Sequence, residues 1–222
     1  MSEEVVVVVA GGVEPPHRKT SVAIRTGTPV VAADGGLERA RELGLDVTIA
    51  VGDFDSASPE TVTAAEASGT RVERHPAAKD ATDLELALDR ALELRPTRIE
   101  VLAVVGDRLD HLFSTFQLLA SPRYAEVELD ADIGLARVHV IRGERTLSGR
   151  PGELVSLFAV HGPAESVRTD GLAYPLDGET LEPGSSRGVS NIFVEETARV
   201  SVERGVLLAV RPGPVTGDAK WL

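Results

Sequence analysis

The sequence predicts an α/β N-terminal domain with a mostly parallel sheet, followed by an all-β, sandwich-like C-terminal domain. Three observations carry that reading. Residues 5–119 alternate short apolar runs with helix signals, the pattern of a parallel sheet covered by helices. The run Val5–Ala10 is apolar throughout instead of alternating, as in a strand buried on both faces. After Pro122 helical periodicity disappears, and β-branched runs separated by Gly- or Pro-bearing turns take over.

The elements follow in order. Val5–Ala10 closes at Gly11-Gly12, and Pro29–Ala33 is a second strand closed by Asp34-Gly35-Gly36. A short helix over Leu37–Leu43 stops at Gly44, the usual left-handed terminator. Val47–Val51 leads into Gly52-Asp53-Phe54-Asp55-Ser56, and Ser58-Pro59 reads as an N-cap with proline at the first helical position of Glu60–Ala67. Arg71–Arg74 is a further strand candidate. Thr82-x-x-Glu85 is a capping box, and Leu84, Ala87, Leu88, Ala91 and Leu92 recur at helical spacing until Pro96. Ile99–Val105 is a buried strand that precedes Gly106-Asp107-Arg108-Leu109-Asp110-His111 and a helix through Leu119. The second half offers Arg137–Ile141, Glu153–Val160, Ser190–Val194, Ala198–Val202 and Val206–Val210, with Arg204-Gly205 joining the last two. The domains are therefore expected at 1–125 and 136–222.

Composition narrows the function. With 35 acidic against 23 basic side chains, the net charge of −12 repels phosphate backbones and argues against nucleic acid. A phosphate-bearing ligand is still allowed, because a bound divalent cation inverts the local sign. The absence of cysteine removes disulfides, thiolate metal sites and a Cys nucleophile. Val5–Ala10 is too short to cross a bilayer and follows Glu3 and Glu4, so neither a membrane partner nor a secretory leader is expected, and a cytoplasmic location follows.

The aspartates carry the chemistry. Asp34 follows the second strand, Asp53 and Asp55 the third, and Asp107 and Asp110 follow Ile99–Val105. If the strands are parallel, these carboxylates share the edge where such sheets bind ligands, and Asp80 and Asp83 join them at a helix N-terminus. Such a group needs protons, basic partners or cations to relieve its repulsion. Oxygen donors without His or Cys favour Mg²⁺ or Mn²⁺. Lys79 and Arg108 lie inside the same motifs and can hold phosphate oxygens, so metal-assisted phosphoryl chemistry is the class indicated. Taken singly, each piece also reads as turn or capping chemistry, and neither a GxxxxGK[ST] loop nor GxGxxG is present.

In sequence, ADGG (Ala33–Gly36), GDFDS (Gly52–Ser56), KDATDLELAL (Lys79–Leu88), GDRLDH (Gly106–His111) and RGVSN (Arg187–Asn191) resemble the successive motifs of thiamine pyrophosphokinases. Asp107 stands where that family often has glycine. The resemblance implies ATP and thiamine as substrates, Mg²⁺ as cofactor, thiamine diphosphate and AMP as products, and a homodimer with sites between subunits. By it, Asp53, Asp55 and Asp83 are the metal ligands. Asp34, Gly35, Lys79, Asp80 and Arg108 bind ATP; Asp55, Asp110 and Arg108 are catalytic; and Ser190, Asn191 and Trp221 bind thiamine. An indole face suits a cationic thiazolium ring. The same residues also leave open a pyrophosphokinase for another alcohol such as a hydroxymethylpterin, a metal-dependent phosphohydrolase, or a non-catalytic sensor.

Overall fold

The computed structural model describes residues 4–12, 24–103 and 108–213. The chain divides into two compact units, Met1–Leu118 with Glu126–Gly134, and Leu119–Ala125 with Leu135–Leu222. No helix among the described residues is long and apolar enough to cross a membrane.

The first unit holds six parallel strands, β1 (Val5–Ala10), β2 (Val30–Ala33), β3 (Ile49–Gly52), β4 (Arg71–Arg74), β5 (Arg98–Ala103) and β6 (Glu128–Ile133), in the order β4-β3-β2-β1-β5-β6. Every residue of β2 and β3 is buried, which explains why their sequences are apolar without alternation. Because all strands run the same way, their carboxyl ends share one edge. The strand order reverses between β1 and β5, the kind of position where open sheets of this type bind ligands.

Four helices belong with this sheet: α1 (Gly36–Glu42), α2 (Pro59–Ala67), α3 (Asp83–Glu93) and α4 (Leu109–Leu119). The caps expected of Ser58 and Thr82 form, with the Ser58 hydroxyl accepting the Thr61 N–H and the Thr82 hydroxyl accepting the Glu85 N–H, each at 3.2 Å. Helix α3 buries Ala87, Leu88 and Ala91 and packs on β1, β2 and β3. Small alanines let the helix lie close to the sheet, which delivers Asp83 in its first turn to the carboxyl edge.

Strand β6 lies in a stretch the sequence leaves between its two domains. Asp130 and Asp132 make it read as polar, yet both are buried. Arg98 on β5 supplies a partner across the sheet, donating to Asp130 Oδ2 at 2.9 Å and also to Glu100. Paired in this way, buried acids are tolerated.

The second unit is antiparallel. Its strands are β7 (Ala136–Ile141), β8 (Glu144–Ser148), β9 (Leu154–Asp170), β10 (Asp177–Leu181), β11 (Asn191–Ile192), β12 (Thr197–Ser201) and β13 (Arg204–Arg211). They pair in the order β7-β13-β9-β12-β8, with β10 and β11 also on β9. Ile141, Leu157 and Leu207 share one core cluster with Leu147, Ala198 and Val200, so the layers face each other. Two expectations are corrected here. Glu153–Val160 is only the first half of β9, which passes through Gly162-Pro163 because His161 (φ 61°) and Gly162 (φ 146°) take left-handed conformations and shift the register against β13. Arg204-Gly205 opens β13 instead of forming the turn before it, which falls at Val202-Glu203.

Candidate active site

The site is assembled where β1, β2 and β3 end. Asp34, directly after β2, takes a left-handed conformation (φ 45°), one that Asp and Asn tolerate better than most side chains. Its N–H donates to the Val51 carbonyl at 2.8 Å, tying it to β3, and its carbonyl accepts the Leu37 N–H at 3.0 Å to begin α1. Glycines make this crossing possible. A Cβ on Gly36 would stand 2.1 Å from the Val9 carbonyl oxygen, and one on Gly52 would stand 3.0 Å from Asp34 Cα. The ADGG and GDFDS motifs thus touch through their backbones.

Asp34, Asp53 and Asp83 each bring a carboxylate oxygen within 4.8 Å of the others, and all three are half-buried. Like charges at that spacing repel by roughly 3–4 kcal/mol at an effective dielectric near 20. Lys79 offsets the repulsion in part. Its ammonium, on a side chain only 13% exposed, lies 3.2 Å from Asp53 Oδ2 and 3.1 Å from Asp83 Oδ1.

The titration of the group follows from these contacts. Burial works against the charged forms of Asp53 and Lys79, but hydrogen bonding and attraction prevail: Lys79 holds Asp53 below the usual carboxylate range, and Asp83 together with Asp53 holds Lys79 above the usual lysine value. Asp34 goes the other way. Burial raises it more than the Ser56 hydroxyl and the Gly35 N–H lower it, and the charges of Asp83 and Asp55 add to the rise. Asp34 Oδ1 is buried and accepts no hydrogen bond among the described residues. An orphaned carboxylate oxygen, in an all-oxygen set without His or Cys, fits a hard divalent cation.

Asp55 lies outside this group. Phe54 turns left-handed (φ 57°), and Asp55 emerges exposed, its N–H donating to Asp53 Oδ1 at 3.4 Å and its carboxylate accepting the Ser56 hydroxyl at 3.0 Å. Gly35 caps α1, and Asp80 is exposed in the loop before α3. Arg108 grips Asp110 with two bonds, Nε to Oδ1 at 3.0 Å and Nη2 to Oδ2 at 2.5 Å, where α4 begins. That fork lowers Asp110 to about 2, which makes it a weak proton acceptor at neutral pH. Asp107 and Trp221 lie outside the described residues, as does Gly106.

In the second unit, Ser190 is exposed, left-handed (φ 59°), and donates its N–H to the Ser156 hydroxyl at 3.0 Å. Asn191 is buried, with its carboxamide spent on the backbone of Tyr174. Tyr174 itself is 58% exposed and escaped the sequence reading. Its signal there was slight: a lone tyrosine in Gly171-Leu172-Ala173-Tyr174-Pro175, in a chain poor in aromatics.

Comparison with known proteins gives a consistent picture. Residues 23–130 match the model of the thiamin pyrophosphokinase catalytic domain, and residues 138–207 that of the thiamin pyrophosphokinase vitamin B1 binding domain. The chain is 27% identical over 191 residues to the thiamine pyrophosphokinase of Bacillus subtilis, covering 82% of this chain and 86% of that protein. It superposes on a thiamin pyrophosphokinase family protein from Enterococcus faecalis with a TM-score of 0.81 at 26% identity, over 96% of this chain and all (100%) of that one. With the thiamin pyrophosphokinase from Geobacillus thermodenitrificans the TM-score is 0.76 at 27% identity, over 98% and 100% of the two chains.

Proposed function

This chain belongs to the thiamin pyrophosphokinase family, and from that premise we propose how its own residues run the reaction. It transfers diphosphate from ATP to the hydroxyl of thiamine, giving thiamine diphosphate and AMP. The observation that carries this is the succession, in one chain, of a catalytic and a vitamin-binding match. A hydroxymethylpterin acceptor or a simple hydrolase finds no support among the relatives described.

In the proposed mechanism Asp34, Asp53 and Asp83 would hold the divalent cation, for which we assign Mg²⁺, with Asp55 two residues beyond Asp53 on the loop after β3. When bound, the ion neutralises polyphosphate charge and fixes its orientation. Arg108, already aligned by Asp110, and Lys79 hold phosphate oxygens, the guanidinium as a fork and the ammonium as a point charge. Gly35 and Asp80 flank the nucleotide. The thiamine oxygen bonds to the β-phosphorus while the bond from that phosphorus to the α–β bridging oxygen breaks, so that AMP leaves. The hydroxyl proton passes to Asp55, which is exposed, or to solvent. Positioning contributes more than base strength in such transfers.

Ser190 contributes to the thiamine site on a strained backbone, a common feature of ligand clamps. We assign Asn191 to it through Tyr174. The family resemblance further supports a homodimer and a cytoplasmic location. Asp53→Asn tests the scheme: it is expected to abolish turnover and metal binding while circular dichroism stays unchanged. A folded, fully active variant would remove Asp53 from the mechanism.

A further inference from the structure

We propose that Lys79 is a resident counter-cation, which the divalent ion displaces from Asp53 and Asp83 and which then turns to the polyphosphate. The inference rests on the metal-site reading above and goes beyond it to the order in which charges exchange.

The geometry is that of an occupied cation position. The Lys79 ammonium is within 3.2 Å of Asp53 Oδ2 and 3.1 Å of Asp83 Oδ1, two of the three carboxylates that converge. A hard divalent ion bonds such oxygens at about 2.0–2.1 Å. Held by the same oxygens, it and the ammonium would be neighbouring cations in direct repulsion. Only one can keep its full set of contacts. The ion carries twice the charge and also gains Asp34, whose buried Oδ1 has no hydrogen-bond donor among the described residues and which Lys79 does not reach in its present ion pairs.

The released ammonium needs an anion, and its four-carbon stem lets it find one nearby. The substrate that arrives with the ion is a polyphosphate. Ion and nucleotide therefore assist each other: the ion frees Lys79 for the phosphates, and the phosphates accept Lys79 from the carboxylates. By linkage, each raises the affinity of the other. A lysine that only braced the loop would act in the opposite sense, since removing it would loosen the carboxylates and weaken metal binding.

The test uses the full chain and Mn²⁺ alone, without nucleotide or thiamine, with free Mn²⁺ read by electron paramagnetic resonance. Lys79→Met is expected to bind Mn²⁺ at least tenfold more tightly than the wild type, whereas Lys79→Arg stays close to it. A non-hydrolysable ATP analogue is expected to tighten Mn²⁺ binding in the wild type much more than in Lys79→Met. Should the Met variant not fold, Lys79→Gln carries the same expectation. Equal or weaker Mn²⁺ binding in the neutral variants overturns the exchange while leaving the metal site intact, provided that Asp53→Asn abolishes binding. If Asp53→Asn binds Mn²⁺ as the wild type does, or if no form binds it, the metal-site reading falls and the exchange falls with it.

Discussion

Asn191 grips Tyr174 by its backbone, accepting the Tyr174 N–H on Oδ1 at 3.0 Å and donating from Nδ2 to the Tyr174 carbonyl at 2.7 Å. The same Oδ1 accepts the Ile192 N–H at 2.9 Å. A buried amide thus fixes the backbone under an exposed aromatic ring. Asn191→Ala leaves those groups without partners and is expected to cost about 1–3 kcal/mol of stability, read as a lower denaturation midpoint. Asn191→Asp, which sets a carboxylate against the Tyr174 carbonyl, is expected to be at least as harmful. Unchanged midpoints for both would mean that the clamp contributes nothing.

Gly36 is fixed by steric contact. With the Val9 carbonyl oxygen 2.1 Å from where a Cβ would lie, Gly36→Ala forces the start of α1 away from the end of β1. Overpacking of this kind costs about 1–3 kcal/mol or more, and here it also spreads Asp34 from Asp53. Thermal melting and Mn²⁺ affinity are expected to fall together; a variant that keeps both would contradict the close crossing.

Asp34 trades stability for binding. Its carboxyl is raised, mainly by burial, so the stability it contributes is complete below the unfolded value near 3.9 and is lost as pH rises through the folded value. At neutral pH the ionised group therefore works against folding. Asp34→Asn removes the charge and tolerates the left-handed backbone. In metal-free buffer the variant is expected to melt higher than the wild type at pH 7, with the difference closing below about pH 4. Mn²⁺ affinity is expected to drop at least tenfold. A lower melting temperature at pH 7 would show that the charge is already compensated.

Asp110 behaves in the opposite sense. Held at about 2 by Arg108, it contributes stability above the unfolded value and loses it only as pH falls from about 4 toward 2. It stays ionised throughout the working range. Any acid limb of kcat/KM between pH 5 and 7 is expected to persist in Asp110→Asn, with a lower plateau because Arg108 has lost its guide. A limb that disappears in this variant would reinstate Asp110 as the titrating base.

How far the sequence reached depended on whether partners were local. Val5–Ala10 and Arg71–Arg74 were legible to the residue, since a continuous apolar run or a short charged edge needs no distant information. Helix α3 was legible from its spacing and its Thr82 cap. Strand β6 was not, because Asp130 becomes a strand residue only once Arg98, far away in sequence, neutralises it. The same limit applied to the site. Parallel strands bring the aspartates to one edge, and motif order pointed there. Which of them converge depends on the left-handed turns at Asp34 and Phe54, which bring Asp34 in and send Asp55 out. That Asn191 is buried and holds the Tyr174 backbone was not legible either, because its partner lies 17 residues earlier.

The most direct test of the central claim is to incubate the pure protein with ATP, Mg²⁺ and thiamine and to identify the products by mass. Thiamine diphosphate and AMP in equal amounts, abolished by EDTA, are the expected result. No thiamine-dependent AMP, or ADP and free phosphate in its place, would contradict it.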